Sequence, residues 1–337
     1  MNPKNIAVVG VGAVGVEILR VLKIRKFPIK NLRVFARSAR EIDVDGTKYK
    51  VEAIDGADFA GIETALFAGT EGEKGAATQY ADKFIKAGAV IIDNGSDFRM
   101  KSDVPLVVPE VNKDQIKKHK GIIANPNCTT IQAMAALAGI HRAYGLEKML
   151  LTSFQAVSGA GKAAMVGLWE ETKELVEKNA ANNFDQLNRR VAKPKGFDHQ
   201  IAFNVIPQIG GFADAGFTSE EWKVVHESHK IFNDYAVKIS ATCVRVPVLN
   251  CHGEAIYITL RNKASMADLE AILKKSENVT YLGDKLAMPL DCSSVVNTFV
   301  SRLRKDPYEE KSFWLWVVAD NLWKGAALNA VQIAEYL

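Results

Sequence analysis

From Asn5 onward, short β-rich apolar runs alternate with stretches whose apolar positions recur every three or four residues. Ile6 to Val9, Leu32 to Ala36, Thr64 to Ala68, Ala89 to Asp93, Leu106 to Val108 and Ile122 to Ala124 read as strands. Between the first two, Val14, Ile18, Leu19, Val21 and Leu22 have helical spacing, and Pro28 ends the pattern. A second helical pattern, Glu73 to Ala87, leads into the strand at Ala89. Alternating strands and helices predict a parallel sheet covered on both faces.

After about residue 127 the texture changes. Val237, Ile239, Ala241 and Cys243 alternate, as do Ile256, Ile258 and Leu260, which predicts strands of a mixed or antiparallel sheet with unlike faces. Ala163 to Lys178, with Met165, Leu168, Trp169, Thr172, Leu175 and Val176 on one stripe, reads as an amphipathic helix. The polar stretch Asn179 to Lys195 reads as a surface excursion, and the tail from Asp320 to Leu337 is helical again.

At 337 residues, 48% hydrophobic and 24% charged, the chain is an ordinary globular mixture long enough for two domains. With 43 Lys plus Arg against 39 Asp plus Glu, it lacks the basic surplus of a nucleic-acid or membrane-surface binder. No apolar stretch reaches the ~20 residues of a spanning helix, and the N-terminus enters the first strand without a signal core, so a cytoplasmic location is expected. Cys128, Cys243, Cys251 and Cys292 form no C-x-x-C pair, which predicts neither a disulfide framework nor a metal site. Cysteine chemistry is therefore sought at a single residue.

Two motifs carry chemistry. Gly10-Val11-Gly12-Ala13-Val14-Gly15 follows a strand and opens a helix, the context in which glycines let backbone N–H groups approach a pyrophosphate. After the second strand, where an acid would hold the ribose of NAD, stand Arg37, Ser38 and Arg40, which favour a 2′-phosphate. In the second motif, Asn125-Pro126-Asn127-Cys128-Thr129-Thr130, the punctuation puts Cys128 at a helix N-terminus, where the dipole favours a thiolate. The other three cysteines read as small buried hydrophobes.

This second motif resembles the nucleophile segment of the aspartate-semialdehyde dehydrogenases. Asp93 to Met100 resembles that family's phosphate loop, and Val108 to Asn112, Gln155 to Gly161, Glu220 to Lys223, Arg245 to Val248 with His252, and Asp320 to Ala334 follow in the same order. The resemblance covers essentially the whole chain. It implies a Rossmann-type parallel-sheet cofactor domain (1–127 plus 318–337) around an inserted α+β catalytic and dimerisation domain of mixed sheet (128–317). It further implies Cys128 as nucleophile, His252 as general acid/base and Gln155 as an orienting group. Arg245 would bind the substrate's α-carboxylate, Glu220 its amino group, Arg99 and Lys223 its phosphate, and Asn127 would position the reacting carbonyl. The glycine loop, Arg37, Ser38, Arg40, Ser158, Gly159 and Asn321 would bind NADP. His119, His141, His199, His226 and His229 read as structural.

Three segments depart from the family pattern: the glycine loop is one residue short and lacks its Thr, the phosphate loop has Gly95 and Asp97 in place of the usual Ser and Ala, and Trp323 replaces a basic residue. The resemblance implies reductive dephosphorylation of β-aspartyl phosphate with NADPH in lysine, threonine, methionine and diaminopimelate biosynthesis. No metal is needed, and the implied partners are the small-molecule substrate, inorganic phosphate and further copies of the chain in a homodimer or homotetramer. The rival readings are N-acetyl-γ-glutamyl-phosphate reductase, which Glu220's match to a free amino group disfavours, and a catalytically silent binding relative.

Overall fold

The computed structural model describes residues 2–69, 72–73, 75–179 and 189–337. Its first sheet uses β1 (Lys4–Val9), β2 (Ile29–Ala36), β3 (Arg40–Val44), β4 (Thr47–Ala53), β5 (Thr64–Phe67), β6 (Val90–Asp93) and β7 (Ile122–Ala124) in the order β3-β4-β2-β1-β5-β6-β7. All neighbours are parallel except the β3–β4 hairpin. Helices α1 (Ala13–Ile24) and α2 (Ala76–Lys86) make the crossovers, as the periodicity predicts. Central strands β1 and β5 are buried on both faces, which explains their unbroken apolar runs.

Leu106 to Val108, expected as a strand, is not one. Only Leu106 bridges to Ala124, and Pro105 and Pro109 flank a segment that turns directly into the short helix α3 (Pro109–Asn112). Proline removes a ladder donor, so the run is too short to pair.

Helix α4 (Cys128–Tyr144) then leads into the second sheet, formed by β8 (Leu146–Gln155), β9 (Lys238–Arg245), β10 (His252–Leu260), β11 (Val279–Tyr281), β12 (Thr298–Lys305) and β13 (Ser312–Ala319), ordered β11-β12-β13-β10-β8-β9. The sheet is mixed, with β8 parallel to β9 but antiparallel to β10. Helices α4, α6 (Ser219–Phe232) and α7 (Met266–Lys275) pack against it. Phe154, Tyr257, Trp314 and Trp316 remain half-buried on the sheet, and Leu150 is exposed.

Helix α5 (Lys162–Lys178) confirms the predicted helix but not its whole stripe. Leu168 and Leu175 are buried, whereas Trp169 and Val176 face solvent and the fully buried Glu171 accepts the N–H groups of Lys195, Ile201 and Ala202. The expected excursion at Asn179 to Lys195 lies largely outside the described residues. The boundary expected at residue 318 falls inside β13, whose Val318 and Ala319 pair with Gly253 and His252. A wide π-helical turn (Trp323–Ala327) and α8 (Leu328–Glu335) follow, and their apolar residues join the core formed by α1 and the first sheet. No helix among the described residues is long and apolar enough to cross a membrane.

Candidate active site

Strand topology brings the distant motifs together. Gln155 and Arg245, the last residues of parallel neighbours β8 and β9, stand in register, and His252 opens β10, whose Gly253 faces Phe154 on β8. Over this end of the sheet lies the start of α4. Asn127 caps that helix, its Oδ1 accepting the N–H groups of Thr129 (3.0 Å) and Thr130 (3.3 Å), and Cys128 is the first helical residue.

Cys128 Sγ lies 3.3 Å from His252 Nε2. The ring's other nitrogen, Nδ1, accepts the Ala156 N–H at 3.1 Å, so a neutral imidazole must carry its proton at Nε2, aimed at the sulfur. Burial, reinforced by Arg245, holds His252 well below its usual pKa and therefore neutral. The dipole expected to favour a thiolate is outweighed. Burial pushes the Cys128 thiol up to about 12, with Glu220 adding to the rise and Arg245 and Arg99 opposing it. The residue keeps part of its surface open.

Charged groups surround the thiol. Arg99 donates to Asn125 O (2.9 Å), Asn94 O (2.8 Å) and Glu227 Oε1 (3.0 Å). Glu227 Oε2 accepts the Asn127 N–H at 2.6 Å. Glu220 Oε1 accepts from Asn127 Nδ2 (2.8 Å) and Gln155 Nε2 (3.3 Å), and Lys223 Nζ stands 3.5 Å from Glu220. Arg245 donates to Ala156 O at 2.7 Å, and burial lowers its pKa. Asn127, expected to position the reacting carbonyl, and Gln155, expected to orient the substrate or the cysteine, both also brace the cysteine's helix. Asn127 caps α4, and Gln155 also donates to Thr129 Oγ1 in its first turn (2.8 Å).

Cys128, Gln155, Arg99, Asn127, Glu220, Lys223 and Arg245 line one cavity of ≈ 470 Å³, which Ala13, Val14, Ser158, Gly159 and Asn321 also line. Gly159 is a close-approach position, since a Cβ there would meet Arg245 and His252 at 3.0–3.2 Å. Asn321 Nδ2 donates to Ser158 Oγ at 2.9 Å. A second cavity, ≈ 840 Å³, is lined by Gly10, Val11, Gly12, Arg37, Ser38 and Arg40. Gly10 has φ +96°, and a Cβ on Gly15 would stand 1.9 Å from Gly10 O, so both must be glycine for α1 to seat against β1. No side chain caps α1 at Gly12, and its first turn carries no acid, so its N–H groups face a compatible anion site. These features fit a dinucleotide running from the arginines to the thiol.

Of the departures, Trp323 is buried against α1, its Nε1 donating to Glu17 at 2.7 Å, and Asp97 Oδ1 accepts the Gly72 N–H at 3.0 Å. His119 and His141 accept backbone N–H groups and His229 bonds Val237 O, as structural histidines do. Sequence reasoning missed Glu227, which ties Arg99 to the cysteine loop. The available signal was helical spacing, since Glu220, Lys223 and Glu227 share one face of α6. Gly325 was also missed, although a Cβ there would meet Cys128 Cβ at 2.8 Å. Among the described residues no group of His, Cys, Asp or Glu is arranged to hold a metal ion.

Comparison with known proteins agrees with this geometry. Family models for the "Semialdehyde dehydrogenase, NAD binding domain" and the "Semialdehyde dehydrogenase, dimerisation domain" match residues 5–119 and 137–324. The aspartate-semialdehyde dehydrogenase of Bacillus subtilis is 41% identical over 99% of this chain and 97% of its own length, and that of Aquifex aeolicus is 42% identical over the same shares. The crystal structure of aspartate semialdehyde dehydrogenase II from Vibrio cholerae complexed with ASA superposes with TM-score 0.92 at 39% identity, covering 100% of this chain and 98% of that one. The Candida albicans enzyme solved with NADP, 22% identical with TM-score 0.72, shares the fold.

Proposed function

Because the chain belongs to the aspartate-semialdehyde dehydrogenase family, we propose that it interconverts β-aspartyl phosphate and aspartate β-semialdehyde, with NADPH as reductant and inorganic phosphate released. The observation that carries this reading is a cysteine at a helix N-terminus, 3.3 Å from a histidine, in a cavity that also holds Arg99, Lys223, Glu220 and Arg245.

Cys128 Sγ attacks the acyl phosphate carbon, the C–O bond to phosphate breaks, the phosphate leaves carrying the thiol's proton as hydrogen phosphate, and an aspartyl thioester forms. Arg99 and Lys223 oppose the charge on the departing phosphate, while Arg245 holds the α-carboxylate and Glu220 the ammonium group. When bound, the nicotinamide supplies the hydride that reduces the thioester. Hydride addition leaves a thiohemiacetal oxyanion on Cys128, its collapse to the aldehyde breaks the C–S bond, and His252 Nε2–H, already aimed at Sγ, hydrogen-bonds the departing thiolate while a solvent proton restores the thiol. In this direction His252 serves as a donor, which suits the tautomer set by the Ala156 N–H.

Preference for NADP rests on Arg37, Ser38 and Arg40 at one cavity, with no acid at the end of β2. The second sheet's half-buried aromatics, within the segment matched by the dimerisation-domain model, suit pairing with a second copy of the chain. The test is NADP reduction by aspartate β-semialdehyde in the presence and absence of phosphate. The reading requires dependence on both. Turnover of N-acetylglutamate semialdehyde in preference to aspartate semialdehyde would overturn it.

A further inference from the structure

Thirteen residues before the C-terminus, a lysine is sealed inside the protein. Lys324 is 0% exposed and its Nζ contacts both Glu110 oxygens (2.8 Å each), Asn329 Oδ1 (3.0 Å) and Gln332 Oε1 (2.9 Å). Burial works to raise the pKa of Glu110, but Lys324 holds it below the ordinary carboxylate range; burial lowers that of Lys324, while the four oxygen acceptors around Nζ suit the ammonium, so the geometry is that of an ion pair. An ion pair out of water is weak evidence for stability, because desolvation offsets its attraction. Its connections suggest another use.

One branch runs through side chains. Asn329 accepts from Lys324 and donates to Asn125 Oδ1 at 2.7 Å. Asn125 donates to Asn94 Oδ1 (2.9 Å), and its backbone oxygen accepts from Arg99 Nε (2.9 Å). The other branch runs through backbone. Lys324 sits in the π-helical turn, where the Gly325 and Ala327 N–H groups reach back five residues to Asp320 and Leu322. That wide turn lays Gly325 on Cys128 without room for a side chain. Glu110 anchors the pair to α3, and Asn278, just ahead of β11, donates to Glu110 at 2.7 Å. One buried charge pair thus ties both sheets to the nucleophile and to the cation assigned to phosphate.

We infer that Lys324, paired with Glu110, is a positioning residue that holds Cys128 and Arg99 in register with each other from behind the active site. The inference rests on the reading of Cys128 as nucleophile, and a thiol-labelling readout keeps failure of one distinct from failure of the other. Lys324→Met alone leaves Glu110 buried and unpaired and can fail to fold. The informative variants are therefore Lys324→Met/Glu110→Gln, which removes both charges, and Asn329→Ala, which cuts the side-chain branch and leaves the pair intact. For each, the melting temperature, kcat, KM for aspartate semialdehyde and the rate of Cys128 labelling by iodoacetamide are measured on folded protein. Expected are a fall in kcat of about 10- to 100-fold with KM held within about threefold, and a changed labelling rate, as befits a displaced thiol. Wild-type kcat and labelling in the double variant overturn the inference. So does a loss of kcat in which the labelling rate stays at the wild-type value.

Discussion

Gly325→Ala probes the nucleophile without touching it. The backbone at Gly325 is not in the left-handed region, so alanine is tolerated conformationally, and glycine to alanine inside a helical segment would by itself gain ~0.5–1 kcal/mol. Against this, the new methyl would stand 2.8 Å from Cys128 Cβ and 3.2 Å from its Cα. Carbon atoms prefer ~3.5–4.0 Å, so the cysteine and the turn must separate by roughly 0.7 Å or more. Overpacking of this kind costs ~1–3 kcal/mol, which exceeds the gain and leaves a net loss centred near ~1 kcal/mol. The fold survives, but Sγ moves relative to His252 Nε2, now 3.3 Å away. A misplacement approaching 1 Å at reacting atoms costs about 10²-fold in rate. Steady-state kinetics with aspartate semialdehyde, phosphate and NADP, alongside thermal unfolding, give the answer. The expected result is a kcat near one-hundredth of wild type with KM little changed. A folded variant with kcat within about threefold of wild type would refute the claim that Gly325 seats the cysteine.

Glu254 is fully buried on β10, and burial, only partly opposed by Gln132, raises its pKa well above the ordinary value. The folded state therefore holds a proton that the unfolded state loses above about pH 4.5, and stability falls by up to ~1.4 kcal/mol per pH unit from there toward the folded pKa. Glu254→Gln should abolish that slope and stabilise the protein at pH 7; denaturant unfolding at pH 5 and 7 that shows identical slopes in both proteins would contradict this. Arg37→Ala and Arg40→Ala should shift kcat/KM from NADP toward NAD, since a bond to a charged group is worth ~1.5–3 kcal/mol. A cofactor ratio indifferent to both changes would remove these arginines from the 2′-phosphate site. Arg245→Lys should raise KM for the semialdehyde well above that for NADP, because lysine lacks the bidentate fork; equal changes in both would make Arg245 structural.

The doubly wound sheet was legible because β1, β5 and β6 are buried on both faces and their apolar runs are uninterrupted. The β3–β4 hairpin was not, since its edge strand alternates with Arg40, Glu41 and Asp43 and half its surface is wet. Cys128 was found through the punctuation before α4, and Asn127 caps the helix as that punctuation suggests. The thiol's proton affinity was not found, because a helix terminus can be read in sequence while the burial that outweighs it cannot. Glu110 and Lys324 are 214 positions apart, and nothing local in either segment announces the pair. Trp323, which reads as a lost cationic contact, is instead an indole docked on Glu17 of α1.

The central claim is a covalent aspartyl thioester on Cys128, and intact-mass spectrometry of the enzyme mixed with aspartate semialdehyde and NADP, without phosphate, tests it directly. Hydride should leave the Cys128 thiohemiacetal once, giving a burst of one NADPH per chain and a mass increase of one aspartyl group that maps to the peptide carrying Cys128. Added phosphate should discharge the adduct and start turnover. Phosphate-dependent NADPH formation by Cys128→Ala, or turnover by the wild type with no adduct and no burst, would contradict the account.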